Sequence, residues 1–293
     1  MSANKGNRHT SLLASHEEIF RCPLCQSRMR TAESGSLICE KRHCFDIARP
    51  GYVNFFSGPH QSKYDKQLFE ARRLIGETGI FDPVIEIISA KIKQELKKKH
   101  REINLLDAGC GEGSHLNSLQ EKLVRSMPAD VRGVGLDISK IGIQMASKAH
   151  PKAVWCVGDL ANCPFASGQF QVILNFLSPS NYAEFQRMLA EEGMVVKVVP
   201  EGNYLKEIRE LLQESKTGHR DSDGRTSELF SRHFKQVYAE QVQYRCALYP
   251  FMISPLLQMT PLSWGFTQQQ MREIVQRGLK EITVDLKILF GRK

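Results

Sequence analysis

Five short apolar runs, at residues 103–106, 131–136, 154–157, 172–176 and 195–199, alternate with helix-like stretches at 114–124, 140–149, 181–190 and 204–214. Runs so short and so rich in Val, Ile and Leu suit strands buried on both faces better than helices, which need about ten or more residues. Strands separated by helices pair in parallel, so the order predicts a parallel sheet covered on both faces. A polar loop at 219–225 precedes two more strand-like runs, at 237–242 and 282–289.

The first run leads into Asp107-Ala108-Gly109-Cys110-Gly111-Glu112-Gly113 and then a helix. Glycines at a strand-to-helix turn let backbone approach a ligand at the carboxyl edge of a parallel sheet. Alone, this string also fits a tight turn or a dinucleotide site. Asp137 closes the next strand in Leu136-Asp137-Ile138-Ser139, where a carboxylate can accept both ribose hydroxyls of NAD or of S-adenosylmethionine. Gly158-Asp159-Leu160, with Pro164-Phe165 soon after, follows the third strand and resembles the adenine-binding segment of class I methyltransferases. Asp107 before the glycines is typical of the same class, near the methionine amino group. The three segments together favour S-adenosylmethionine. The expected fold is α/β, a class I (Rossmann-like) methyltransferase sheet with an N-terminal zinc-ribbon-like module.

That module rests on the cysteines. Cys22-Pro23-Leu24-Cys25 is followed by thirteen residues, then Cys39, then three more and His43. Two such ligand pairs can close a tetrahedron of thiolates and imidazole around zinc, with Cys44 competing with His43 for the fourth position. A filled tetrahedron has no open position, so the Zn2+ is expected to be structural. A redox pair at Cys22 and Cys25 would need a preceding strand and a following helix, which the pattern lacks. The scattered Cys110, Cys156, Cys163 and Cys246 read as small apolar side chains.

The net charge of +8 points to an anionic partner, RNA ahead of membrane. Between Arg21 and Arg49 six basic residues (Arg21, Arg28, Arg30, Lys41, Arg42, Arg49) face three acidic ones, which suits a device that grips phosphates. No segment reaches the roughly 18 uncharged apolar residues of a membrane helix. Residues 1–16 lack a secretory leader's apolar stretch, so the expected location is cytoplasmic. The expected organisation is a flexible tail at 1–18, a zinc-binding RNA-recognition module at 19–58 and a helical linker at 59–100. The S-adenosylmethionine-dependent methyltransferase domain follows at 101–293. The linker helices are expected at 64–73 and 83–99, the second ending in the basic run Lys97-Lys98-Lys99-His100-Arg101.

These residues resemble one family closely, the RlmA/TlrB 23S rRNA (guanine-N1-)-methyltransferases. The likeness runs through Phe20-Arg21-Cys22-Pro23-Leu24-Cys25, Cys39 to His43, Phe45-Asp46, Gly51-Tyr52-Val53-Asn54, Arg72-Arg73, the glycine loop, Leu136 to Lys140, and Leu257-Gln258-Met259-Thr260-Pro261 with Trp264. The resemblance implies methylation of guanine N1 in hairpin 35 of 23S rRNA. Residues 175–182 and Lys197-Val198-Val199-Pro200 look more like the Gram-positive, TlrB-like branch (RlmAII), which acts at nucleotide 748 rather than 745 and is linked to tolerance of tylosin-type macrolides. It further implies zinc on Cys22, Cys25, Cys39 and His43, cofactor contacts at Phe81, Gly111, Glu112 and Tyr204, and a homodimer whose cleft receives the hairpin. This chain carries Phe81 and Tyr204 where members of that family carry Tyr and His. Cofactor contacts are thus expected at Phe81, Asp107, Gly109, Gly111, Glu112, Asp137, Asp159, Leu160 and Tyr204.

Guanine N1 holds a proton at neutral pH, and no histidine or carboxylate announces itself as the base that removes it. Asn175, at the end of the fourth strand, is the candidate polar contact, unless residues 175–181 merely cap a helix. A methyltransferase for another substrate and a non-catalytic RNA-binding protein on the same fold are the rival readings.

Overall fold

The computed structural model describes residues 3–33, 35–56, 65–96, 101–213, 224–263 and 265–293. Its centre is the expected parallel sheet: β5 (Glu102–Ala108), β6 (Asp130–Asp137), β7 (Val154–Val157), β8 (Phe170–Phe176) and β9 (Leu189–Pro200), joined by α4 (Ser114–Ser126), α5 (Lys140–Ala149) and α6 (Tyr182–Met188). The N-terminal part supplies α1 (Ala3–Ala14), β1 (Met29–Ala32), β2 (Ser36–Cys39), β3 (Cys44–Asp46), β4 (Tyr52–Asn54), α2 (Lys66–Glu77) and α3 (Asp82–Leu96). After β9 come α7 (Lys206–Gln213), α8 (Arg225–His233), β10 (Lys235–Ala247), α9 (Pro250–Met259), α10 (Gln268–Arg277) and β11 (Glu281–Arg292).

The eight-stranded sheet runs β10-β11-β9-β8-β5-β6-β7-β4. Pairing is parallel from β4 to β9, while β11 lies antiparallel between β9 and β10. Strand order reverses between β5 and β8, so the loops after both strands diverge and open a crevice at their carboxyl ends. One face is covered by α2 to α5, α7 and α9, whose buried residues share a core with Leu105, Trp155, Val172 and Val196. The other face packs α6, α8 and the small three-stranded sheet β1-β2-β3 against Leu106, Val134, Cys156 and Ile173.

This second face explains the placement of the ribbon. The crossover from β7 to β8 spans residues 158–169 and forms no helix. A parallel crossover usually covers its face with a helix; here the ribbon does so. Arg21 N donates to Pro164 O (3.0 Å), Ala166 N to Ile19 O (2.8 Å), and Phe20 packs between Phe55 and Phe165. Arg187 pins the crossover from the other side, donating to Phe165 O and to the Glu184 carboxylate.

The structure departs from the expected organisation at two points. The stretch expected as a flexible tail contains α1, with Leu13 buried in the second core. The expected boundary at residue 58 is no break in packing, because β4 pairs with β7 and Cys22, Met29, Leu37 and Cys39 belong to the sheet's own core. Both linker helices form, as α2 and α3. Tyr64, Lys97 to His100, Glu214, the loop at 219–223 and Trp264 lie outside the described residues. The loop expected to extend to Arg225 instead gives way to α8 at that residue.

Candidate active site and metal centre

A cleft of about 740 Å³ opens at the carboxyl ends of the parallel strands, within the range of small-molecule and cofactor sites. The glycine loop, Asp137, Asp159 and Leu160 line one part, and Phe176 to Pro179, Lys197 to Glu201 and Met259 to Pro261 line another. Phe81, Glu112 and Tyr204 also reach the wall. Of the expected cofactor residues, Asp107 alone stands behind the lining.

The loop after β5 has the close approach its glycines predict. Gly109 has φ +85° and lies directly under Ser178, so that a Cβ there would collide with the Ser178 hydroxyl. Gly111, at φ +55°, donates its N–H to Asp137 Oδ2 (2.8 Å), and Ser139 N donates to Oδ1 (2.8 Å). These bonds fix the Asp137 carboxylate at the cleft wall. Asp159 Oδ1 accepts from Ala161 N (2.8 Å). Glu112 is buried and bonded to the Ser114 hydroxyl (2.7 Å); burial raises its carboxyl despite Ser114 and the fields of Arg72 and Arg73.

Asp107 is the anomaly. It is 1% exposed, and neither carboxylate oxygen has a hydrogen-bond partner. Burial, and then the charges of Asp137 and Glu112, push its carboxyl well above the usual range. A buried acceptor with nothing to accept is costly. It fits a site made to receive a cation, such as the α-ammonium of a methionine moiety.

Asn175 is placed differently from its expected direct contact. It is fully buried; Nδ2 donates to Ala108 O (2.6 Å) and Pro179 O (3.0 Å), while Oδ1 accepts from Ser180 Oγ (2.8 Å) and Lys197 Nζ (2.5 Å). Its amide ties the glycine loop to the loop after β8 and does not line the cleft. Asn181, further along, caps α6 by accepting from Glu184 N. Sequence reasoning missed Lys197, His115 and Ser178 as wall residues. A lysine inside Val195-Val196-Lys197-Val198-Val199 and a histidine just after a glycine loop were the available signals. His115 stacks on Phe176 (3.9 Å between centroids) and meets Phe81 edge-on; burial, then Arg72, lowers it to about 4.

At the ribbon, Cys22, Cys25, Cys39 and His43 bring their donor atoms within 4.8 Å of one another. Two turns do this, Cys22 to Gln26 and Cys39 to His43, each with one residue in the left-handed region (Gln26, φ +65°; Arg42, φ +64°). Cys25 Sγ to Cys39 Sγ is 3.5 Å, and His43 Nδ1 lies 3.5 and 3.4 Å from Cys22 and Cys39. A tetrahedral ion with Zn–S near 2.3 Å and Zn–N near 2.0 Å separates its ligands by about 3.5–3.8 Å, so the set fits zinc. Cys44, on β3, is exposed, turned toward Asp46, and outside the group. The four positions are filled by protein, leaving none for substrate.

The zinc-ribbon profile described as RlmA, N-terminal, matches residues 20–66, and a methyltransferase domain profile matches 105–198. The chain is 43% identical over 277 residues to YxjB of Bacillus subtilis (strain 168), whose name assigns it provisionally as a 23S rRNA (guanine-N(1)-)-methyltransferase; the match covers 94% of this chain and 97% of that one. It is 29% identical over 275 residues to the 23S rRNA (guanine(748)-N(1))-methyltransferase of Streptomyces fradiae, covering 91% and 94%.

Proposed function

The chain belongs to the 23S rRNA (guanine-N1-)-methyltransferase family, and on that premise we propose that it transfers a methyl group from S-adenosylmethionine to N1 of guanine 748 in hairpin 35. Modification there is the change linked to tolerance of tylosin-type macrolides. The similarity to the guanine-748 enzyme spans both modules and supports the choice of that nucleotide. Guanine N1 of 23S rRNA is the target class of the family as a whole.

The observation that carries the proposal is the docking of the ribbon onto the β7–β8 crossover, whose first residues, Asp159 and Leu160, line the cleft. Asn162, three residues beyond Asp159, donates to Pro23 O inside the first cysteine turn (3.0 Å). The exposed Arg28, Arg30 and Arg42 belong to a ribbon anchored on the crossover that also carries Asp159 and Leu160 of the cleft wall. An RNA gripped through its phosphates by these groups lies beside the cleft, and the base enters by being splayed from its stack.

Bound S-adenosylmethionine supplies an electrophilic methyl group on a sulfonium. Asp107, just behind the cleft wall with both oxygens unpartnered, would hold the α-ammonium. Asp137, at the end of β6 on the cleft wall, would accept the ribose hydroxyls, and Asp159 with Leu160 would face the adenine. Gly109 and Gly111 admit the cofactor against bare backbone, Glu112 is braced by Ser114, and Phe81 and Tyr204 wall the site. The nucleophile must then be aligned behind the methyl group, which is the work of the wall from Phe176 to Pro179. Cys22, Cys25, Cys39 and His43 hold a structural zinc that fastens the two ribbon turns. The protein acts in the cytoplasm as a homodimer receiving the hairpin; no helix among the described residues is long and apolar enough to cross a membrane.

The test is methylation of 23S rRNA transcripts spanning hairpin 35 by the zinc-loaded protein, with nucleoside mass spectrometry. We expect 1-methylguanosine, absent when guanine 748 is replaced by adenine. Methylation of a different base, or of protein or small molecules only, would overturn the proposal.

A further inference from the structure

The step left without an agent is removal of the guanine N1 proton, and the cleft wall holds one group built for it. Within β9 the buried stretch from Gly193 to Val198 is apolar but for Lys197, which is 5% exposed and lines the cleft. Lys197 and Asn175 are direct neighbours on adjacent parallel strands. Lys197 Nζ donates to Asn175 Oδ1 (2.5 Å) and to Ser178 O. Both acceptors are neutral, and among the described residues Lys197 has no carboxylate partner.

We propose that Lys197 is the catalytic base that takes the N1 proton of the target guanine, an inference that rests on the guanine-N1 activity proposed above. A neutral amine has two N–H bonds and one lone pair. Asn175 Oδ1 and Ser178 O can take the two N–H bonds, which frees the lone pair to act as a base at the cleft wall. The ammonium form carries a third N–H, for which no acceptor is found among the described residues. Asn175 is then a positioning residue, its oxygen orienting the amine and its Nδ2 anchoring the loop to Ala108 and Pro179. Burial lowers the Lys197 ammonium to about 8, which keeps a useful fraction neutral near physiological pH. The other ionisable groups on the wall are Arg72, Cys110, Glu112, His115, Asp137, Asp159, Glu201 and Tyr204, with Asp107 behind it. His115, the competing nitrogen base, is a much weaker one and is clamped between Phe176 and Phe81.

The step balances. The N1–H bond breaks and its proton joins the Lys197 lone pair, forming an ammonium. The N1 electron pair forms the bond to the methyl carbon, and the carbon–sulfur pair returns to sulfur as a neutral thioether. One positive charge leaves sulfur and one appears on Lys197.

The experiment is a pH profile of 1-methylguanosine formation on 23S rRNA by the full-length, zinc-loaded wild type, Lys197→Arg and Asn175→Asp, with S-adenosylhomocysteine affinity measured alongside. For the wild type, kcat should rise through a pH near 8. Lys197→Arg cannot present a lone pair. Its kcat should fall about 100- to 10,000-fold, as for loss of a general base. Its rising limb should vanish, its cofactor affinity should stay within twofold, and its deficit should shrink at high pH, where guanine loses the proton unaided. Asn175→Asp sets a carboxylate against the ammonium, so its limb should move to higher pH. In Lys197→Ala, added methylamine should restore part of the rate, which a purely structural lysine would not allow. A limb that persists in Lys197→Arg, or one abolished by His115→Asn instead, overturns the assignment while leaving the guanine-N1 activity intact. Loss of cofactor binding with an unshifted limb makes Lys197 a cofactor contact and also overturns it. Wild-type protein that forms no 1-methylguanosine overturns the functional proposal itself.

Discussion

Asp107→Asn keeps the shape of the side chain and removes its charge, which isolates the role of the orphaned carboxylate. In the wild type the folded-state carboxyl lies well above its ordinary value because it is buried beside Asp137 and Glu112. The folded protein therefore binds more protons than the unfolded chain once pH exceeds the unfolded value of about 4. Stability must fall as pH rises from there to the folded-state value, by up to about 1.4 kcal/mol per pH unit. Asparagine has no such slope, so in urea titrations without cofactor the variant should gain on the wild type between pH 4.5 and 7. Cofactor binding should move the opposite way. Losing a charge-assisted hydrogen bond costs about 1.5–3 kcal/mol, or roughly a 10- to 150-fold weaker affinity for S-adenosylhomocysteine. Wild-type binding should also release a proton, visible in calorimetry as a dependence on buffer ionisation enthalpy that the variant lacks. Equal affinities together with equal pH slopes would refute the placement of Asp107 against the ammonium.

Other outcomes follow from the same geometry. Cys44→Ser should retain one zinc per chain by metal analysis, whereas His43→Ala should lose it; the reverse pattern would move the fourth ligand to Cys44. Because Cys22 and Cys39 are part of the sheet's second core, zinc removal by a chelator should lower the melting temperature of the whole chain rather than release a separate domain. Gly109→Ala forces a left-handed backbone at a cost of about 1–2 kcal/mol. It also displaces Ser178, so cofactor affinity and kcat should both drop in steady-state assays. Reversing charge at Arg28, Arg30 and Arg42 should weaken rRNA binding and flatten its salt dependence. The slope should change by roughly 0.7–0.9 for each phosphate no longer gripped, with cofactor affinity unchanged.

Much of this was legible before the structure. The runs at 140–149 and 154–157 coincide with α5 and β7 to the residue, because buried parallel strands and amphipathic helices leave strong periodic signals. What stayed hidden had weak or contrary local signals. β4 is three residues long and gains its strand only by pairing with β7. α9 carries Pro255 inside an apolar stretch, which reads as a break rather than a helix. Among the described side chains of α1 only Leu13 is buried, and the stretch is polar, so nothing in its composition required order. At the site, the glycine loop, Asp137 and Asp159 could be placed because each lies at or just past the end of a strand of the parallel sheet, and the structure brings them to one cleft. The cysteine spacing alone left His43 and Cys44 open, and only β3 turning Cys44 toward Asp46 separated them. Asn175 was noticed for its position, but its role is inward, and Lys197 was concealed by the apolar run that buries it.

The central claim is modification of one base, and primer extension across hairpin 35 of 23S rRNA tests it most directly, in cells lacking the gene and in the same cells complemented with it. N1 methylation blocks base pairing, so reverse transcription should stop one nucleotide before guanine 748 with the wild-type gene. The stop should be absent without the gene and weaker with Asp107→Asn. A pattern indifferent to the gene would contradict the account, and a gene-dependent stop at 745 would contradict its choice of nucleotide.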